Sequence, residues 1–218
     1  MKQSKKPVLG LLAIVALSAP MVASSAAITL TFEGVGDLNA VGEFYNGGGG
    51  PNYGVSFSPD AIALVDADAG GSGNFANEPS PSTVMFFLET EDPLLLSMAA
   101  GFTREFSFSY SALEEGRIQV YDGLGATGNL LASRILEPQF NTDCAGDPQG
   151  QYCNWTAVTV NFAGTARSIS LGGTVNLIGF DDITLGSDGP DIVPEPGSLA
   201  LVGLGLVGLG MARRRKPR

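Results

Sequence analysis

Apolar and polar positions alternate along most of the chain between residues 28 and 187. Ile28, Leu30 and Phe32 alternate with Thr29, Thr31 and Glu33; Tyr53, Val55 and Phe57 repeat the pattern, followed by Ile62 and Leu64. Phe106, Phe108 and Tyr110 alternate with Ser107 and Ser109, and Val158, Val160 and Phe162 with Thr159 and Asn161. A two-residue period turns one side of a strand to a core and the other to water. The apolar runs 83–88 and 94–98 suit interior strands. Together with 117–121, 130–136, 169–171 and 178–185, the pattern gives about ten short strands. Gly-, Pro-, Asn- and Asp-rich stretches at 46–54, 70–81, 122–129 and 141–154 separate them. No segment between the chain ends sustains a 3.6-residue pattern. The prediction is an all-β domain over residues 28–186, an antiparallel sandwich of jelly-roll type. Residues 187–193 read as a linker.

The two ends follow other rules. Residues 1–27 read as a secretory signal peptide. Lys2, Lys5 and Lys6 precede an apolar run over 8–17, and small residues crowd 23–27, which suits a cut after Ala26 or Ala27. At the other end, Pro194-Glu195-Pro196 precedes an almost wholly Leu, Val, Gly and Ala stretch, predicted as a short transmembrane helix over about 197–212. Arg213, Arg214, Arg215 and Lys216 follow at once and resist translocation, which keeps the tail in the cytoplasm and the domain outside. Gly203, Gly205, Gly208 and Gly210 argue against a buried helix of a soluble core, since each weakens a helix in water by about 1 kcal/mol.

This order of Pro-Glu-Pro, short apolar segment and Arg-rich end resembles the PEP-CTERM sorting signal of Gram-negative bacteria. The resemblance covers residues 193–218. It implies recognition of Pro194, Glu195 and Pro196 by an exosortase, attachment to the cell envelope, and an association with exopolysaccharide or biofilm.

Charge narrows the partners. Three of the 12 basic residues lie in the first 27 positions and five in the tail, which leaves Arg104, Arg117, Arg134 and Arg167 against 22 Asp and Glu. The exported part is therefore near −18, repels nucleic acid and anionic surfaces, and suits divalent cations. The chain has no histidine, which removes Ser-His-Asp and Cys-His catalysis. Its two cysteines, Cys144 and Cys153, lie in one Asp/Gly/Pro-rich loop and are expected to form a local disulfide in an oxidising compartment.

Two segments are candidate cation sites. The opening Phe32-Glu33 and the closing Phe180-Asp181-Asp182-Ile183 resemble the terminal strands of galactose-binding-like, carbohydrate-binding jelly rolls. That resemblance implies a structural calcium held by Glu33 with Asp181 or Asp182. The loop from Asp66 to Asn74 places Asp66 and Asp68 before glycines but lacks the acidic twelfth residue of an EF-hand, and reads as an ordinary flexible loop. The glycines at 47–50 precede neither Lys-Ser/Thr nor a predicted helix, so they are no phosphate loop. Tyr45, Tyr53, Tyr152 and Trp155 lie beside irregular segments and are candidates for stacking on sugar, or for closing the ends of the sandwich.

The reading that follows is a non-enzymatic cell-surface or matrix protein with a glycan-binding face. The alternatives are a polysaccharide hydrolase working through two carboxylates, such as Glu114-Glu115 or Asp181-Asp182, and a purely structural envelope component.

Overall fold

The computed structural model describes residues 27–87, 93–142 and 150–186. The predicted signal peptide up to residue 26, and the predicted linker and anchor, lie outside these residues. Nine strands are present among the described residues: β1 (Ile28–Leu30), β2 (Val55–Phe57), β3 (Ala61–Val65), β4 (Thr83–Phe87), β5 (Leu94–Ala112), β6 (Gly116–Tyr121), β7 (Leu130–Leu136), β8 (Thr156–Gly172) and β9 (Ile178–Leu185). One 3₁₀ turn, Ala67–Ala69, follows β3. All strand pairings are antiparallel.

Two pairs of expected short strands are fused. Residues 94–98 and 106–110 belong to the 19-residue β5, and 158–162 and 169–171 to the 17-residue β8. The alternation breaks inside each strand because the backbone is irregular there. The β5–β8 register shifts between Ser97 and Phe102 and again between Thr103 and Glu105. Gly101, Arg104 and Gly164 all take positive φ, at 76°, 76° and 89°. Bulges of this kind bend a ladder and interrupt its two-residue period without ending it.

The bend splits the ladder into two layers. In one, residues 96–98 of β5 pair with β2 and residues 94–97 with 168–171 of β8, which continues to β6 and β7. In the other, residues 105–112 pair with β9 and with 156–161 of β8; β9 continues to β1 and β4, and β4 to β3. The arms meet again at the far pole. A Cβ on Gly116 would lie 2.6 Å from Ile178 Cδ1 and 3.1 Å from the Gly172 carbonyl. Leu96, Ile118 and Ile169 from the first layer and Phe106, Phe108, Phe180 and Ile183 from the second form one buried apolar cluster. The architecture is thus all-β, antiparallel and consistent with a β-sandwich.

A second, smaller core lies outside the second layer. β4 is buried at all five positions. Met85 and Phe87 face the main core, while Val84 and Phe86 join Phe75 and Tyr152 with Phe140 and Trp155 packed against them. Residues 74–76 and 151–152 hydrogen-bond to each other, and Trp155 Nε1 donates to the Ala76 carbonyl at 3.0 Å. The loop containing Cys153 thereby roofs this aromatic patch. Among the described residues no cysteine is free; Cys144, the expected partner, lies outside them.

Candidate functional site

The sequence-predicted carboxylates at the two ends of the domain converge on one tetrapeptide, residues 80–83. Phe32, at φ 61°, and Gly34, at φ 84°, turn the chain sharply after β1 and place Glu33 beside β4. Glu33 Oε2 accepts from Thr83 Oγ1 at 3.1 Å and from Ser82 Oγ at 3.4 Å. Its other oxygen, Oε1, is buried and has no hydrogen-bond partner.

Asp181 reaches the same tetrapeptide from β9. Its side chain is fully buried. The Ser80 amide donates to Oδ2 at 2.9 Å, the Ser80 hydroxyl lies 2.8 and 3.0 Å from the two carboxylate oxygens, and the Asp182 amide donates to Oδ1 at 2.7 Å. The same Ser80 hydroxyl is 3.2 Å from the Thr31 carbonyl. Burial, reinforced by the neighbouring Asp182 charge and opposed by the Ser80 hydrogen bonds, pushes the Asp181 carboxyl up to about 7.

A bulge explains how Phe180 and Ile183, three positions apart on β9, both join the main core. Ser107 faces Thr184 while Ser109 faces Asp181, so β9 carries one extra residue, and Asp182 takes φ 50°. Asp182 is half-buried, which raises its carboxyl, and it contributes its amide to Asp181. The structure therefore brings Glu33 and Asp181 to one tetrapeptide and sets Asp182 on the bulge next to them.

Hard oxygen ligands suit calcium here: two carboxylates, a carbonyl and a hydroxyl, with one buried carboxylate oxygen unpaired. Among the described residues, no three Asp, Glu, His or Cys side chains converge. The remaining ligands of a calcium ion would have to be carbonyl, hydroxyl or water oxygens, which calcium accepts.

The aromatic candidates divide by burial. Tyr45 is 3% exposed in the main core and Tyr152 is 5% exposed in the smaller one, so neither offers a face to a sugar. Tyr45 was needed inside: its hydroxyl accepts from the Phe32 amide at 2.6 Å, and burial, with the charges of Asp181 and Glu33 adding to it, pushes the phenol up to about 12. Trp155 packs edge-on against Phe75 at 6.3 Å and is spoken for by the smaller core. Tyr53 is 40% exposed and stacks on Tyr45 at 6.2 Å.

A feature the sequence did not reveal lies on the outer side of the first layer. An open groove of about 400 Å³ is lined by Asn46, Gly54, Ser56, Ser97, Ala99, Ala100 and Leu124. Ser56 and Ser97 are cross-strand partners on its floor. Its signal lay in the small polar residues that alternate with core positions, but only the register sets them side by side. The 66–74 loop, expected to be flexible, is instead pinned. Asp37 accepts from the Val65 amide at 2.9 Å and from the Ser72 hydroxyl at 2.5 Å, and these bonds, the Ser72 one foremost, lower its carboxyl.

The C-terminal stretch is decided by a family comparison. Residues 193–216 match the PEP-CTERM protein-sorting motif. The sorting motif implies export and attachment to the envelope through the C-terminal region. Among the described residues no helix is long and apolar enough to cross a membrane, and the stretch predicted to span one lies outside them. No curated protein matches the chain in sequence. Among solved structures, the chain is similar to the K2 cleaved adhesin domain of Lys-gingipain, with TM-score 0.46 and 14% identity over 73% of this chain and 97% of that one. It is also similar to a β-1,3-glucan-binding CBM6 from Bacillus halodurans, with TM-score 0.35 and 17% identity over 58% of this chain and 84% of that one. A glycoside hydrolase family 43 arabinoxylan arabinofuranohydrolase from Bacillus subtilis matches with TM-score 0.38 and 13% identity, over 61% of this chain but 26% of that one.

Proposed function

We propose that this is an exported, non-enzymatic surface protein of a Gram-negative bacterium, delivered by an exosortase and displaying its acidic β-domain outside the cell. The sorting motif at 193–216 carries the reading. A cleaved signal peptide over 1–27 and a spanning helix over about 197–212 complete it. The groove on the first layer is the proposed contact for an extracellular polysaccharide. Its amide, hydroxyl and apolar lining suits a neutral sugar chain and supplies no carboxylate pair for hydrolysis. A calcium ion held by Glu33 and Asp181, with the Thr31 carbonyl, would tie the first strand to the last.

The decisive experiment is mass spectrometry of the mature protein from host cells with and without exosortase. The expected product begins at Ala27 or Ile28, ends near Pro194 only when exosortase is present, and is two mass units lighter than the dithiol. A full-length, untrimmed, reduced chain in the cytoplasm would overturn the reading. For the polysaccharide contact, Ala100→Trp fills the groove and should abolish binding to the exopolysaccharide of the host. Undiminished binding would exclude the groove.

A further inference from the structure

Both ends of the domain leave it at the same place. Ile28 pairs with Leu185, and Leu185 pairs with Phe106 on its other side. The next amide, that of Gly186, donates to the Glu105 carbonyl at 3.0 Å. The chain therefore departs toward the sorting motif from the bend of the β5–β8 ribbon, made of residues 101–105 and 162–167. Phe102 faces Ala166 and Thr103 faces Thr165 across that bend. The opposite pole carries the turns at 113–115 and 173–177, joined by a 2.8 Å hydrogen bond from Thr174 to Glu114.

The surface of the bend differs from the rest of the domain. Thr103, Ala163 and Thr165 are exposed there, small and uncharged, while Ala99 and Ala100 just before the bend belong to the groove. The bend holds Arg104 and Arg167, two of the four arginines between the chain ends, and one acidic residue, Glu105. The Asp122 carboxyl, lowered chiefly by hydrogen bonds from Asn129, also feels the charge of Arg167, so that arginine has an acidic neighbour. In a domain that sets 4 arginines against 19 acidic residues, this bend is close to neutral and is little repelled by phospholipid phosphate. Resting on the anchored reading above, we infer that, in the anchored chain before exosortase processing, the 101–105/162–167 bend faces the membrane surface, and that the Glu114/Thr174 pole points away.

Chain length enforces the orientation. Residues 187–196, between Gly186 and the predicted span, reach at most about 35 Å when fully extended. A compact domain of about 160 residues is roughly 40 Å across. The tether cannot run the length of the domain and still let the far pole touch the bilayer.

The test uses the full chain in vesicles of phosphatidylethanolamine and phosphatidylglycerol. The photoreactive residue benzoylphenylalanine is placed singly at Ala163, Thr165, Glu115 or Thr174, and lipid adducts are counted by mass spectrometry after illumination. The expected result is lipid adducts at least ten-fold more abundant at Ala163 and Thr165 than at Glu115 and Thr174. Equal yields, or a preference for the far pole, overturn the inference while leaving the anchoring intact. A chain that does not float with the vesicles overturns the anchoring and the inference together.

Discussion

Ser80 holds the buried carboxylate of Asp181 with both its amide, at 2.9 Å, and its hydroxyl, at 2.8 Å. These bonds lower the carboxyl, yet burial outweighs them and sets it at about 7, against 3.8 in a solvated chain. Between those values the folded state carries a proton that the unfolded state lacks. Stability contributed by this group therefore falls as pH rises from about 4 to about 7 and is flat above, with an upper bound of about 4 kcal/mol. Thermal melts in chelator across pH 4–8 should show the decline, and Asp181→Asn should flatten much of it. An unaltered slope in that variant would remove Asp181 as the cause.

Calcium should reverse that trend. An ion at Glu33 and Asp181 binds the ionised carboxylates, so at pH 7.5 it raises the melting temperature, by mass action about 2.7 kcal/mol at a hundred-fold excess over Kd. Glu33→Gln and Asp181→Asn should each abolish the increment. Isothermal titration calorimetry without heat, together with an unmoved melting curve, would sink the site.

The Tyr45 hydroxyl is the acceptor for the Phe32 amide, on a residue held at φ 61°. Tyr45→Phe keeps the ring packing but leaves a buried N–H unsatisfied, at a cost of about 1–3 kcal/mol. Urea unfolding of the variant measures it. A loss within error would mean that water or another acceptor replaces the phenol.

Ser111 makes the opposite case. It is fully buried on β5 opposite Gly179, and its hydroxyl has no hydrogen-bond partner. Ser111→Ala removes an unsatisfied group with little change of volume and is expected to stabilise by about 1 kcal/mol. Destabilisation in the same denaturation assay would reveal a partner for that hydroxyl.

Reduction should act on the smaller core first. Tyr152, next to Cys153, packs in the smaller core with Phe86, and the expected Cys144–Cys153 bridge would contribute roughly 2–3 kcal/mol. With dithiothreitol, the lone Trp155 fluorescence should shift to the red at lower urea than the main unfolding transition. A single coincident transition in both redox states would show that the roof does not depend on the bridge.

The alternation at Phe106, Phe108 and Tyr110 made the class of fold legible, because each residue packs into one shared core. It did not disclose that β5 continues through Gly101 and Arg104. Bulges break the periodic signal while the ladder persists, so two strands were expected where one bends. The convergence of Glu33 with Asp181 was legible only as a resemblance at the edges of the domain. The bonds that bring it about belong to Ser80, Ser82 and Thr83, which read as ordinary turn and strand residues. Tyr45 and Tyr152 show the limit for aromatics. Glycine-rich neighbours suggested exposed loops, but those glycines let the chain fold closely over the rings, as where Gly50 packs on Phe44. The groove was hidden because Ser56 and Ser97 are 41 positions apart and meet only through strand register.

Thr29 and Thr184 share a hydrogen bond of 2.9 Å across a sequence separation of 155. A polypeptide threaded through a translocon from its amino end delivers Thr29 first and Thr184 almost last. The outermost strand must therefore wait, unpaired, until nearly the whole domain has emerged. In the exported reading proposed above, completion of the sheet would coincide with arrival of the sorting motif at the bilayer, so maturation of the sheet and release from the translocation machinery would be timed by the same few residues.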